Sequence, residues 1–453
     1  MDSFNVLREQ LKDLDFQVRS CALRELALAW KAGRIHCKPQ SDLVNMHCHT
    51  CFSYNGYGHS PSSLAWLARE MGWRALATVD FDVLDGVEET LAACDLVNVR
   101  GAAGLETRAY LPEFATYEIN SPGEPGILYH IGVGFVTRQP VPAASVVLEA
   151  MRRRAAERNR DMVKRINAYL DPLVIDYDRD VLPLTPAGNA TERHILTAYD
   201  AAARRLFPRR EALIAFWADK LGVDAEHVAA SLGETPTPNE LVRSKLMKRG
   251  SVGYVQPGPT TFPPFDEVTK AIIACGAIPI YAWLDGSSQG EQRIEELLTL
   301  LINKGVAGIN IVPDRNWNFP DPQVRAAKVR ELYRVVDLAR SLDLPILVGT
   351  EMNKAGQRLV DDFDAEPLRP LRGDFVRGAD FLYGHTVMQR ALGLGYQSEW
   401  ARSHLPGRRE RNAFYATVGR LVEPGAESLQ RLAKLDVSKG PDAVVAHLES
   451  LFR

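Results

Sequence analysis

The sequence predicts an α/β protein, a distorted seven-stranded (β/α)7 TIM-like barrel with a helical insertion and helical N- and C-terminal segments. Three observations predict it. Seven short apolar runs (43–46, 75–79, 102–105, 128–135, 277–283, 306–312 and 345–348) each end in polar residues. Helical stretches alternate with them, and such strand–helix–strand alternation implies a parallel sheet. The long gap between the fourth and fifth runs reads mostly as helix.

Residues 3–32 place Leu7, Leu11, Leu14, Val18, Leu23, Leu26 and Trp30 at helical spacing, as one amphipathic helix or a broken pair. This N-terminal segment, 1–40, is expected to pack on the main domain. The barrel occupies 41–365, and the turn-rich stretch Asn120-Ser121-Pro122-Gly123-Glu124-Pro125-Gly126 introduces its fourth strand. The insertion covers about 150–260, with helical patterns at 151–170, 191–207 and 210–232. It is read as part of the barrel because strand–helix units resume at Phe265. Its arginine runs, 152–154 and 204–210, are read as solvated helix faces. A C-terminal extension, 366–453, ends in helices over 426–435 and 441–451.

With 453 residues, 46% hydrophobic and 25% charged, the chain can bury a sizeable core. A net charge of −3 provides no basic excess for long nucleic acid. No apolar run reaches the roughly 18 residues that span a bilayer, and residues 1–4 lack the layout of a signal peptide. A cytoplasmic location without a membrane partner is the expectation. The six cysteines fit no zinc-ribbon spacing, and the C-x-x-C of Cys48 and Cys51 is read as reduced thiols.

In a parallel barrel the active site forms at the C-terminal strand ends. The residues found there are His47 and His49, Asp80 and Asp82, Glu106, Asp285, then Asp314, Arg315 and Asn316, and last Glu351 and Asn353, while the fourth run contains His130 near its start. Residues two apart on a strand share a face, so His47 and His49 can aim at one ion. Carboxylates gathered in one buried place need a neutralising cation, and a mixed nitrogen and oxygen set suits zinc, manganese or iron.

These residues resemble motifs of the polymerase and histidinol phosphatase (PHP) superfamily. The H-x-H-T opening followed by Ser stands as His47-Cys48-His49-Thr50-Cys51-Phe52-Ser53; Gly104-Leu105-Glu106 matches the G-x-E motif, and Tyr129-His130-Ile131-Gly132 the fourth strand. The pattern departs at Phe81, where the family has histidine, at Asn55, at Ala282-Trp283-Leu284, and at Gly349-Thr350-Glu351-Met352-Asn353. The resemblance implies one to three divalent ions on His47, His49, Glu106 and His130, helped by Asp80 and Glu351. Asp285 or His385 could replace a missing ligand. Thr191-Glu192-Arg193-His194-Ile195 resembles a phosphate-contacting segment of phosphoesterase members. It makes Arg193 and His194 candidates for substrate binding and catalysis, with Asp80 also catalytic; Arg315 and Lys245 are further anion-binding candidates.

The function implied is hydrolysis of a small phosphomonoester or related ester by activated water. A single-metal lyase, isomerase or non-phosphate hydrolase acting on an organic acid or sugar-like substrate is the alternative, and a non-catalytic binding protein is a third. The partner expected is a small molecule, possibly phosphorylated; the sequence leaves the oligomeric state open.

Overall fold

The computed structural model describes residues 3–452 and contains one seven-stranded sheet in sequential order. Its strands are β1 (Val44–Cys48), β2 (Ala75–Phe81), β3 (Arg100–Tyr110), β4 (Ile127–Val133), β5 (Ile278–Trp283), β6 (Gly308–Ile311) and β7 (Ile346–Val348). The sheet curls until a parallel bridge between Cys48 and Glu351 joins its edges, giving a distorted, nearly closed (β/α)7 barrel.

The sheet departs from the expected parallel order in one place. β4 is antiparallel to both β3 and β5, whereas the other pairs are parallel. The cause is local. A parallel return needs a long crossover, usually a helix. The connection 111–126 instead holds one 3-10 turn, Pro112–Phe114, and sharp bends at Gly123 and Gly126 with φ of 76° and 75°. β3 also runs on to Tyr110, well past the apolar run that predicts it, to supply a long antiparallel partner.

Helices cover the outside of the barrel. Pro61–Met71 is punctuated in its sequence: Ser60 caps it by accepting from Ser63 N, Pro61 opens it, and Gly72 closes it at φ 71°. The N-terminal pattern resolves as a broken pair, Ser3–Gln10 and Phe16–Lys31. The second helix is fastened by Arg19, whose buried guanidinium grips both oxygens of Glu89 at 2.8 and 2.6 Å.

The insertion consists of Pro142–Leu170, Glu192–Leu206, Arg210–Leu221, Ala225–Ser231 and Glu240–Leu246. It has its own apolar cluster, including Ile166, Leu196, Tyr199 and Trp217, apart from the barrel core. At the other end of the chain, Arg372–Leu392 is a helix that the sequence pattern did not single out. Phe375, Ala379, Leu382 and Met388 are buried along it, and Arg408–Leu421 crosses it at close range. A Cβ on Gly384 would overlap the carbonyl oxygen of Tyr415, so glycine is what permits that crossing. Among the described residues no helix is long and apolar enough to cross a membrane, and all six cysteines are free thiols.

Candidate metal centre

Three of the predicted ligands converge. His47 on β1, His49 just beyond it and Glu106 on β3 are all buried, and their candidate ligand atoms lie within 4.8 Å of one another. Glu106 Oε2 stands 3.1 Å from His49 Nε2 and 3.5 Å from His47 Nε2.

Their hydrogen bonds define which nitrogen of each ring is bare. Ser53 Oγ donates its only proton to Asp80 Oδ1 at 2.6 Å, so at 3.2 Å it can only accept, and His49 Nδ1 is the donor. His47 Nδ1 lies 2.7 Å from Asn310 Oδ1, a pure acceptor. In the neutral rings both Nε2 atoms therefore carry lone pairs; they are buried without a hydrogen-bond partner and face a carboxylate. Three lone-pair donors in contact require a cation between them, either a proton or a metal ion. The donor set of two imidazoles and one carboxylate fits a transition metal, with each Nδ1–H anchored as metal-binding histidines usually are. Burial pushes the Glu106 carboxyl up, but the neighbouring His47 and His49 outweigh it and hold the group down at about 2. In the opposite sense, burial disfavours charge on His47, yet Glu106 more than compensates and its imidazole is raised.

The remaining predicted ligands lie elsewhere. His130 is excluded by register. It pairs with Thr107 and Tyr281, so it shares their face of the sheet, away from Glu106. Its Nε2 is 3.1 Å from Thr269 Oγ1, its Nδ1 3.2 Å from Ile280 O, and burial holds its imidazole down at about 3. Asp80 is fully committed to the loop after β1, accepting from Thr50 N and Thr50 Oγ1 at 2.7 Å and from Ser53 Oγ at 2.6 Å. It positions the loop and stands outside the cluster. Glu351, at φ 61°, directs Oε2 to Arg315 at 2.6 Å, with Asn353 and Gln357 also donating at 3.3 Å. Glu351 and Arg315 thus pair with each other on the cavity wall, and Glu351 lies outside the three-residue cluster.

Neither substitute ligand is in place. Asp285 pairs with Lys328 at 2.6 Å, while His385 is 3.1 Å from Gly134 O and accepts from Tyr396 N at 2.9 Å. His194 completes a capping box. Its Nδ1 accepts from Thr191 N at 3.1 Å, its ring packs edge-on against Tyr54, and burial keeps the imidazole down at about 4. It is neutral at physiological pH and therefore not a ready proton donor, and it is not among the residues that line the cavity. Lys245 is exposed. Arg193 does line the cavity, with Nε bonded to Asn353 O at 2.5 Å and NH1 to Glu240 at 3.3 Å.

Two departures from the resembled motif shape the centre. Phe81 stacks on His49, centroid to centroid 4.2 Å and 25° from parallel, and Trp283 forms another part of the wall. The cavity measures about 800 Å³ between the barrel mouth and the insertion, and His47 and Glu106 line it. Sequence reasoning missed Arg108, Tyr129 and Arg158 in its wall. Arg108 had a signal, since it lies two residues beyond Glu106 and shares its face. Tyr129 had none, because the register of β4 against β3, which pairs it with Arg108, is what turns it inward in place of His130.

No protein-family model and no curated protein matches the chain. Among solved structures, an amidohydrolase from Chromobacterium violaceum with bound sulfate and no metal is similar at 16% identity and a TM-score of 0.45, over 73% of this chain and 96% of that one. A Bifidobacterium adolescentis protein assigned as a metal-dependent phosphoesterase is similar at 20% identity and a TM-score of 0.45, over 75% of this chain and 98% of that one.

Proposed function

We propose that this protein is a PHP-like metal-dependent hydrolase of a small phosphomonoester or related ester, with one divalent ion held by His47, His49 and Glu106. The observation that carries the reading is the pair of bare, buried imidazole nitrogens facing one carboxylate. A bound divalent ion supplies Lewis acidity, lowering the pKa of water and polarising an ester oxygen. The chain's own residues supply the rest. Asn310 and the Ser53–Asp80 relay hold the two imidazoles in their ligating tautomers. Arg193 presents a guanidinium to the cavity, suited to an oxyanion. Phe81, stacked on His49, shields one side of the centre from water.

One ion rather than three is the reading because Asp80 and Glu351 are committed elsewhere, and the single metal-sized cluster among the described residues is the one above. The apolar surface of Phe81 over His49 favours one alternative, a single-metal enzyme acting on a non-phosphate substrate.

Metal analysis of untagged protein, purified without chelator, tests the proposal. About one transition-metal ion per chain is expected, lost in His47→Ala and in Glu106→Ala. Protein that carries no ion and takes none up on addition overturns it. Release of phosphate from a panel of monoesters favours the hydrolase; full metal content with no release favours the alternative.

A further inference from the structure

The same cavity contains a second constellation that the proposed hydrolysis does not use. Arg108 leaves β3 on the same face as Glu106, about 7 Å further along the strand. Its guanidinium carbon stands 4.2 Å from the ring centre of Phe262, and that of Arg158, from the helix Pro142–Leu170, is 4.6 Å from the same centre. Arg108 donates to Glu124 at 2.9 Å. Arg158 donates only to the carbonyl of Thr261, at 3.1 Å, and has no ion-pair partner among the described residues. Arg154, one turn earlier on that helix, lines the cavity without a hydrogen bond or ion pair among the described residues. Tyr129 pairs with Arg108 across the strands and turns its phenol toward the cavity, where its hydroxyl has no described partner.

Over the whole cavity lining nine lysine and arginine side chains meet seven acidic ones, so the balance is positive; Glu124 and Asp82 are the carboxylates nearest this group of guanidiniums in sequence register and charge coupling. Burial first, and then Arg108 and Arg154, bring the Arg158 guanidinium down to about 10 against the pull of Asp82. It remains charged near neutrality. Planar forks with spare N–H groups beside a phenol make a receptor for an oxyanion.

We propose that Arg108, Arg158 and Tyr129 bind an anionic group, so that the substrate is a small ester carrying a second phosphate or carboxylate, held in the same cavity from the strand position two residues beyond Glu106. The word substrate rests on the hydrolase reading; the anion site does not.

The test is calorimetric titration of the full-length, metal-loaded protein with inorganic phosphate and, separately, acetate, at constant ionic strength. A binding event that survives His47→Ala but weakens about tenfold or more in Arg158→Gln is expected, since a charged hydrogen bond is lost. Arg108→Gln should act alike. If it disturbs folding through Glu124, Arg158→Gln with an unchanged circular dichroism spectrum carries the test. A response to phosphate supports the site with a phosphate ligand, and one to acetate alone supports it with a carboxylate. Binding of neither anion, or binding unchanged in Arg158→Gln, overturns the proposal. Failure of the metal reading looks different: no ion is found, while the Arg158-dependent event persists.

Discussion

Replacing Asp80 with alanine separates a positioning carboxylate from a metal ligand. The side chain accepts three hydrogen bonds in a buried setting, from Thr50 N, Thr50 Oγ1 and Ser53 Oγ. A stranded buried donor costs about 1–3 kcal/mol, and the Thr50 N–H cannot rotate away from that cost. The two hydroxyls can swing toward other acceptors and contribute about 1 kcal/mol each, so a loss of about 3–5 kcal/mol is expected. The effect on metal is indirect. The Ser53 hydroxyl, released from Asp80, can donate to His49 Nδ1, which favours the tautomer with the ring hydrogen on Nε2 and hides the ligating lone pair. Loss of such an orienting partner lowers affinity about 10–100-fold, short of abolishing it. Urea denaturation with and without chelator gives the first quantity, and competition with a chelating dye gives the second. Ser53→Ala should reproduce most of the affinity loss with little of the instability. If Asp80→Ala abolishes metal binding as completely as Glu106→Ala, or leaves stability within about 0.5 kcal/mol of wild type, the reasoning fails.

Other consequences follow from features away from the centre. Arg19→Ala should cost about 3–5 kcal/mol in chemical denaturation, because Glu89 is left charged and buried, whereas Arg19→Leu with Glu89→Leu should recover most of it. Gly384→Ala should destabilise by more than about 2 kcal/mol, since two helix backbones must part; a neutral result would contradict the close crossing. His130 and His385 are buried neutral, with imidazoles held down at about 3 and about 4. The unfolded chain takes up their protons from about pH 6.5 downward, so their stabilisation is complete above that pH and is lost as pH falls toward those values. His130→Leu should flatten the stability slope between pH 5 and 6 by about 1 kcal/mol per pH unit, and an unchanged slope would count against a neutral His130.

How far the sequence reaches depends on whether a feature is local. The His47–His49 pair and Glu106 are legible because they stand at or just past the ends of neighbouring apolar runs, where local spacing places them together. The barrel is legible for the same reason, from apolar runs and their punctuation. His130 is misread because the face it takes depends on the register of β4 against β3 and β5, which the strand's own alternation does not fix. Asp80 and His194 are polar residues in motif positions whose bonds go to loop and helix-end backbone. That competition between capping and catalysis is settled only by tertiary placement. The helix Arg372–Leu392 escapes notice because it is buried on most of its circumference, which erases the amphipathic period.

The barrel's closure has a consequence for how the protein can be observed. Its last edge is joined by two main-chain hydrogen bonds, His49 N–H to Glu351 O and Glu351 N–H to His47 O, each 2.8 Å. β7 contributes only three residues before that junction. The seam of the cylinder and the proposed ligands are therefore the same few peptides, so whatever steadies the imidazoles also shuts the wall. Amide exchange at His49 and Glu351 would then act as a built-in gauge of occupancy, slowing as an ion is bound and quickening as it leaves, before any global unfolding is felt.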